Sequence, residues 1–283
     1  MAQILKGAPV VAAMNEANAA RCAALKEKGI VPTLAVVRVG AREDDISYEK
    51  GATKKMGNFG LRVQSYVFPA DISDTQFKAE FQKINEDPDV TGILMLRPLP
   101  KQICEKDIEN MIDPEKDLDG ISPVNIAKVF AGDRSGFAPC TAEAVMEVLK
   151  QNEIEISGKR AVVVGRSMVV GRPLAMLLLK ENATVTICHT RTKDLKETCR
   201  NAEILCAAAG KAKMLDSEYV GDGAVVIDVG INVDENGKLC GDVDFESLEG
   251  HASMATPVPG GVGAVTTAVL AKHLVQAWAK RNN

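Results

Sequence analysis

The chain has 283 residues, 46% of them hydrophobic and 25% charged, with a formal net charge of −4. That length admits two domains or one large one, and the composition is ordinary for a globular protein. The mild acidity gives no support for nucleic acid or an anionic membrane as a partner, and no run of 18 apolar residues proposes a membrane span. The opening segment soon acquires Asn, Glu and Arg and lacks both a basic start and a continuous apolar stretch, so no signal peptide is expected. Seven scattered cysteines without a C-x-x-C pair fit reduced thiols and a cytoplasmic location. His189, His251 and His273 show no ligand spacing, so no metal is expected.

In chain order, residues 8–28 carry alanine-rich helical periodicity, and Thr33–Val39 reads as a strand ending at Gly40. Ser47–Met56 is expected to be a helix, Arg62–Phe68 a strand, and Ser73–Asn85 an amphipathic helix with Ser and Asp at its start. Gly92–Leu96 is a buried strand running into Arg97-Pro98-Leu99-Pro100, and Asp107–Met111 a short helix. Thr141–Gln151 is a helix. Strands follow at Ala161–Val164, Ala183–Cys188, Glu203–Ala207 and Ala224–Val229, with a helix over Pro173–Leu179. Residues 256–263 (TPVPGGVG) are too rich in glycine and proline for either regular element, and Ala264–Arg281 is a final helix. The alternation predicts an α/β fold with largely parallel sheet.

Residues 158–192 read as strand, glycine-bearing turn, helix and second strand. A turn feeding a helix N-terminus directs backbone N–H groups at one spot, which suits a dinucleotide pyrophosphate. The spacing is not G-x-G-x-x-G: Gly165 and Gly171 flank five residues, and an ordinary βα turn gives the same pattern. The second strand ends in His189-Thr190-Arg191-Thr192 without the acid that commonly meets an NAD ribose. Arg166 and Arg191 suit a 2′-phosphate instead. NADP is therefore favoured over NAD, the alternative being two solvated arginines.

Several segments, in this order and spacing, resemble the methylenetetrahydrofolate dehydrogenase/cyclohydrolase family. They are Val39-Gly40 with Ser47-Tyr48, GILMLRPLP (92–100), PEKDLDGISPVN (114–125), FAPCT (137–141), GRSMVVGRP (165–173), ATVTICHTRT (183–192), VVIDVGIN (225–232), GDVDF (241–245) and TPVPGGVG (256–263). The resemblance covers nearly the whole chain. It implies two α/β domains with a cleft between them, the second Rossmann-like. Residues 1–141 with 265–283 would form the folate-binding domain, and 142–264 the NAD(P)-binding domain. The final helix would return to the N-terminal domain, and a homodimer would form through the nucleotide domain. The family oxidises 5,10-methylenetetrahydrofolate and hydrolyses the methenyl product to 10-formyltetrahydrofolate.

The resemblance also assigns residues. Tyr48 would stack on the pterin or aminobenzoyl ring, and Asp119 would accept hydrogen bonds from pterin nitrogens. Pro257, Gly260 and Gly261 would line the junction of folate and nicotinamide. Thr141, Gly165, Arg166, Ser167, Gly171, Thr190, Arg191, Gly210, Ile231, Asn232 and Thr266 would serve the cofactor. Cys140, beside Thr141, is read as inert packing. Each has a plainer reading: a core tyrosine, a turn-forming Asp before Gly120, or a helix-capping Thr.

The chain departs from the family at two positions. The lysine expected four residues after Tyr48 is Ala52, and the glutamine of the Gly-Ile-Leu segment is Leu96, followed by Arg97 where the family has leucine. Hydride removal needs chiefly positioning, whereas hydrolysis needs proton transfer, whose loss typically costs about 10²–10⁴-fold. The expectation is an NADP-dependent dehydrogenase with weak or absent cyclohydrolase. Lys50 and Lys54 point away from the Tyr48–Ala52 face at helical spacing. Lys55 returns to it one turn further on, and would reach a substrate only if the helix end bends. The alternatives are a bifunctional enzyme and a non-catalytic folate- or nucleotide-binding protein. A hydroxy-acid dehydrogenase is disfavoured because no His-based acid/base pair is found.

Overall fold

The computed structural model describes residues 2–282. In chain order the elements are β1 (Gln3–Ile4), α1 (Gly7–Glu27), β2 (Thr33–Val39), α2 (Glu43–Asn58), β3 (Arg62–Phe68), α3 (Asp74–Glu86), β4 (Gly92–Met95), α4 (Glu105–Met111), α5 (Pro123–Phe130) and α6 (Cys140–Gln151). There follow β5 (Arg160–Val164), α7 (Gly171–Lys180), β6 (Thr184–Cys188), α8 (Leu195–Arg200), β7 (Ile204–Ala207), β8 (Val225–Asp228), β9 (Asn232–Val233), β10 (Leu239–Cys240), β11 (Met254–Ala255) and α9 (Thr266–Asn282). One sheet runs β3-β2-β4 and another β1-β11-β8-β7-β5-β6. Every pairing in these two sheets is parallel, while β9 and β10 form a small antiparallel pair. Among the described residues no helix is long and apolar enough to cross a membrane.

The chain divides into two compact units. One comprises Met14–Cys140 and the stretch from Thr267 onward, the other Thr141–Thr266 and the stretch up to Ala13. The sequence reading kept the whole N-terminal stretch in the folate domain, and this differs. Gln3 and Ile4 pair with Met254 and Ala255, and Gly7 donates its N–H to Gly260 O at 2.8 Å, so this short segment extends the larger sheet. A two-residue strand is too short to leave an alternation in the sequence.

In the three-stranded unit, β2 lies in the middle and is buried along almost its whole length, which explains its continuous apolar run. Its core takes Phe77 and Phe81 from α3, both fully buried. Phe68 meets Phe77 edge-on at 5.4 Å, and Phe77 stacks on Phe81 at 6.1 Å, both favoured aromatic geometries. Ser73 and Gln76 close a capping box at the start of α3. Helix α5 was not anticipated, although Ser122 caps it and Pro123 occupies its first turn. Helix α9 packs here, as the resemblance implied. Asn18 donates to Ala268 O, Arg281 to Val90 O, and the Lys280 ammonium lies 3.7 Å from the Phe137 ring centre.

In the six-stranded unit, β5, β7 and β8 form the buried centre, and α8 closes over it through Cys199. The segment expected to be irregular at 256–263 runs into one 3₁₀ turn at Val262–Ala264. Its backbone presses on α1: a Cβ at Gly7 would lie 2.3 Å from Gly261 O. Gly7→Ala should therefore destabilise the protein by roughly 1–3 kcal/mol, read from urea unfolding. An unchanged midpoint would show that this junction yields without strain.

Candidate active site

In the three-stranded unit the two positions where the resemblance expects Lys and Gln are packed. Ala52 is 0% exposed and Leu96 8% exposed, so both are core side chains. Tyr48 is half-buried rather than a core tyrosine. Helix α2 remains regular to Asn58, so no bend carries Lys55 toward another site. The Lys55 ammonium instead donates to Asn15 Oδ1 of α1 at 3.2 Å, and burial lowers its pKa from the ordinary lysine value. Arg97 bridges Glu105 and Glu109 at 3.1 and 3.4 Å, which ties the 96–100 segment to α4.

The Lys116–Gly120 motif divides its labour. Lys116 is buried and donates to Asn85 O and Asp87 O, both at 2.7 Å. Asp117 accepts from the N–H groups of Ile121 and Ser122 and from Asn125 Nδ2, at 3.0, 2.8 and 2.9 Å. Asp119 Oδ1 accepts from Cys140 N–H at 2.8 Å, at the first residue of α6. Thr141 thus lies inside the first turn of α6, and Asp119 supplies the acceptor that a capping Thr would have given. The Cys140 thiol hydrogen-bonds the same carboxyl. Burial raises the Asp119 pKa above the ordinary carboxylate value, opposed by the Cys140 hydrogen bond and the Arg97 charge. Cys140 does have a histidine neighbour: its Sγ lies 3.8 Å from His273 Nδ1. That nitrogen also faces Leu118 O at 2.8 Å, and a carbonyl only accepts, so Nδ1 carries a proton and is no base toward the thiol.

In the six-stranded unit, Gly165 and Gly171 are required by the chain's own packing. A Cβ on Gly165, at φ +136°, would lie 2.1 Å from Ala208 O, and one on Gly171 would lie 2.2 Å from Gly165 O. The start of α7 is satisfied internally, which corrects the picture of free helix N–H groups. Ser167 Oγ accepts from Val170 and Gly171 N–H at 3.1 and 3.4 Å, and Ser167 O from Arg172 N–H at 3.0 Å. The preceding loop is different. The N–H groups of Arg166, Ser167, Met168 and Val169 have no protein acceptor among the described residues, and these side chains are exposed.

After β6 the backbone folds on itself. His189 N–H donates to Thr192 Oγ1 at 2.8 Å and Arg191 N–H to His189 Nδ1 at 3.1 Å, leaving Thr190 and Arg191 exposed. Gly210 follows β7, and Ile231, 67% exposed, precedes Asn232 after β8. These loops lie at the carboxyl ends of adjacent parallel strands, where open α/β sheets bind ligands. Pro257, Gly260 and Gly261 follow β11, and Thr266 donates its hydroxyl to Gly263 O at 3.1 Å. Among the described residues no three His, Cys, Asp or Glu side chains cluster in a way that would hold a metal.

The family model for the tetrahydrofolate dehydrogenase/cyclohydrolase catalytic domain matches residues 5–119, and that for the NAD(P)-binding domain matches residues 139–282. The chain belongs to this family. The bifunctional protein FolD of Carboxydothermus hydrogenoformans is 54% identical over 279 residues, 98% of this chain and 97% of that protein. The FolD methylenetetrahydrofolate dehydrogenase/cyclohydrolase of Campylobacter jejuni superposes with a TM-score of 0.96 at 40% identity, over 99% of this chain and all of that one. The Trypanosoma brucei dehydrogenase-cyclohydrolase, solved with NADP and an inhibitor, gives 0.94 at 35% identity over 100% of this chain and 99% of that one.

Sequence reasoning passed over Asp117, Asn125, Asp228 and Asp242, four buried polar residues that organise these loops. The available signal was an Asp next to a glycine-bearing strand end, but their partners lie elsewhere in the chain. Ser167→Ala removes the hydroxyl that accepts two N–H groups at α7. It should lower stability by about 1 kcal/mol, measured by chemical unfolding without ligand, and an unaltered midpoint would mean water replaces the hydroxyl fully.

Proposed function

We propose that this protein oxidises 5,10-methylenetetrahydrofolate to the 5,10-methenyl compound by hydride transfer to NADP, and that it hydrolyses the product weakly or not at all. The observation that carries the second half is chemical. The two positions where the family resemblance expects Lys and Gln hold buried Ala52 and Leu96, which neither donate nor accept a proton. The first half is supported by the family membership and by what remains. Half-buried Tyr48 offers a ring face, and the Asp119 carboxylate suits pterin N–H groups as an acceptor.

Departure of hydride from the methylene carbon is assisted by the lone pairs of the flanking nitrogens and moves no proton there. Placement of the reacting carbon is then the protein's main task. NADP supplies the hydride acceptor. The unpaired N–H groups of the Arg166–Val169 loop suit its pyrophosphate, and exposed Arg166 and Arg191 suit a 2′-phosphate. A relative solved with NADP is consistent with that choice. In this reading Thr141, Ser167, Thr190, Gly210, Ile231, Asn232 and Thr266 line the dinucleotide, and Pro257, Gly260 and Gly261 lie beside the folate.

The second reading is a bifunctional enzyme. Curated relatives such as the Carboxydothermus protein carry that name, and Lys55 is an amine whose pKa burial lowers, which suits proton transfer. One paired assay separates the two: NADP⁺ reduction with methylenetetrahydrofolate, and decay of methenyltetrahydrofolate absorbance against a blank. We expect reduction without accelerated decay, and no change in decay on Lys55→Met. Decay well above the blank that Lys55→Met abolishes would establish the bifunctional reading instead.

Asp119 gives a pH prediction. Its carboxyl is acceptor-only when ionised, as a pterin N–H group would require, and burial raises its pKa above about 3.9. On lowering the pH, kcat/KM for the folate should therefore fall at a pH above the ordinary carboxylate range. Asp119→Asn should be weaker overall, and its profile should lose that limb. A limb that persists in the variant would assign it to another group.

A further inference from the structure

The carboxyl ends of β7, β8 and β11 are tied together by two buried carboxylates. Asp242 is 0% exposed and accepts four hydrogen bonds. Three come from the consecutive N–H groups of Ala209, Gly210 and Lys211, at 2.5, 3.0 and 2.8 Å, and the fourth from Asn232 Nδ2 at 2.9 Å. Asp242 is fixed in turn by Asp228, which accepts from the N–H groups of Asp242, Gly230 and Val243 at 3.0, 3.0 and 2.9 Å. Asp228 N–H donates to Thr256 Oγ1 at 2.7 Å. The fit leaves no slack: a Cβ on Gly230 would lie 2.4 Å from the Asp242 carboxyl, and one on Gly241 would lie 1.9 Å from Asp228 Oδ2.

We propose that Asp242 is a positioning residue for the dinucleotide, setting the Ala209–Lys211 backbone and the Asn232 side chain in the conformation that receives the cofactor. The proposal rests on the NADP reading above. Its logic is geometric. Gly210 has a left-handed backbone (φ +66°) and nothing within 4 Å of its Cβ position, so no neighbour packs against the middle of this exposed segment. The loop's shape comes from three N–H groups converging on one carboxylate, an arrangement a neutral amide cannot reproduce. In Asp242→Asn, the amide oxygen can serve part of the set, while the NH₂ opposes a donor.

The test is Asp242→Asn, compared with wild type by NADP⁺ titration calorimetry, steady-state kinetics and amide hydrogen exchange. We expect the NADP⁺ Kd and KM to rise roughly tenfold to a hundredfold, with kcat at saturating NADP⁺ within about twofold. The amides of Ala209–Lys211 should exchange faster in the unliganded protein. If Asp242→Asn does not fold, Gly230→Ala, whose Cβ would displace the same carboxyl, carries the same expectation at smaller size. Faster exchange with unaltered NADP⁺ affinity overturns this proposal and leaves the functional reading intact, because the loop would then be merely structural. Wild-type protein that binds neither NADP⁺ nor NAD⁺ overturns the functional reading and this proposal with it.

Discussion

A parallel strand delivers its chain into a loop whose N–H groups have lost their ladder partners, and a loop that must stay close to the sheet cannot leave all of them to water. This protein meets that constraint repeatedly with the same device, a carboxylate accepting several backbone N–H groups. Asp117 does so in the three-stranded unit, Asp228 and Asp242 in the six-stranded one, and Asp119 accepts a single one, that of Cys140. The electrostatic consequence is not uniform. Burial pushes the Asp228 carboxyl up to about 6, against the lowering effect of its three N–H donors. A charge kept in such a place is costly, so its retention means that the loop shape it enforces matters more than the desolvation it suffers.

The same device explains what could and could not be read along the chain. Apolar, β-branched-rich runs identified β2 and β5 nearly to the residue, because a strand buried on both faces needs apolar side chains at almost every position. The helices with strong periodicity or a capping serine were equally plain. Helix α5 was not, although Ser122 and Pro123 announce it, because the surrounding motif drew attention to Asp119 alone. The pairing of β1 with β11 spans most of the chain and involves two residues on each side, too few for periodicity to register. The loop-organising carboxylates escaped for a related reason. An Asp beside a glycine reads as a turn former, and only the fold reveals that its partners are N–H groups from other strand ends. Cys140 and His273 are likewise brought together only by α9 packing on the other elements of its unit.

Glycine carries two meanings here that sequence spacing cannot separate. The turn that Gly165 and Gly171 flank suits a pyrophosphate by its sequence, and an ordinary βα turn gives the same pattern. Each glycine is already obligatory for the approach of Ala208 to Gly165, or of Gly165 to the start of α7. Ser167 then takes up the first N–H groups of α7, and the N–H groups left over belong to the loop before the helix. In the proposed reading, the dinucleotide would rely on loop amides and arginines more than on the helix terminus. That is compatible with the departure from G-x-G-x-x-G spacing, since the glycines are fixed by the chain's own contacts.

The proposed separation of oxidation from hydrolysis follows from where the structure can tolerate change. The residues that hold loops in place are charged or polar and fully engaged, so replacing any of them would orphan buried donors at a cost of roughly 1–3 kcal/mol each. Ala52 and Leu96 belong to a different category: their side chains are apolar and contribute only packing. A lysine and a glutamine can give way to such residues without disturbing any N–H group that the carboxylates satisfy. In the proposed reading, positioning chemistry survives because it depends on the loops, and proton transfer does not because it depends on the side chains. Lys55 is the instructive boundary case. Its amine is near enough in sequence to compensate, but a regular helix and a hydrogen bond to Asn15 direct it to α1. Proton transfer through it would mean breaking that bond and turning the end of α2, so helix geometry, more than the inventory of nearby lysines, decides between the two proposed readings.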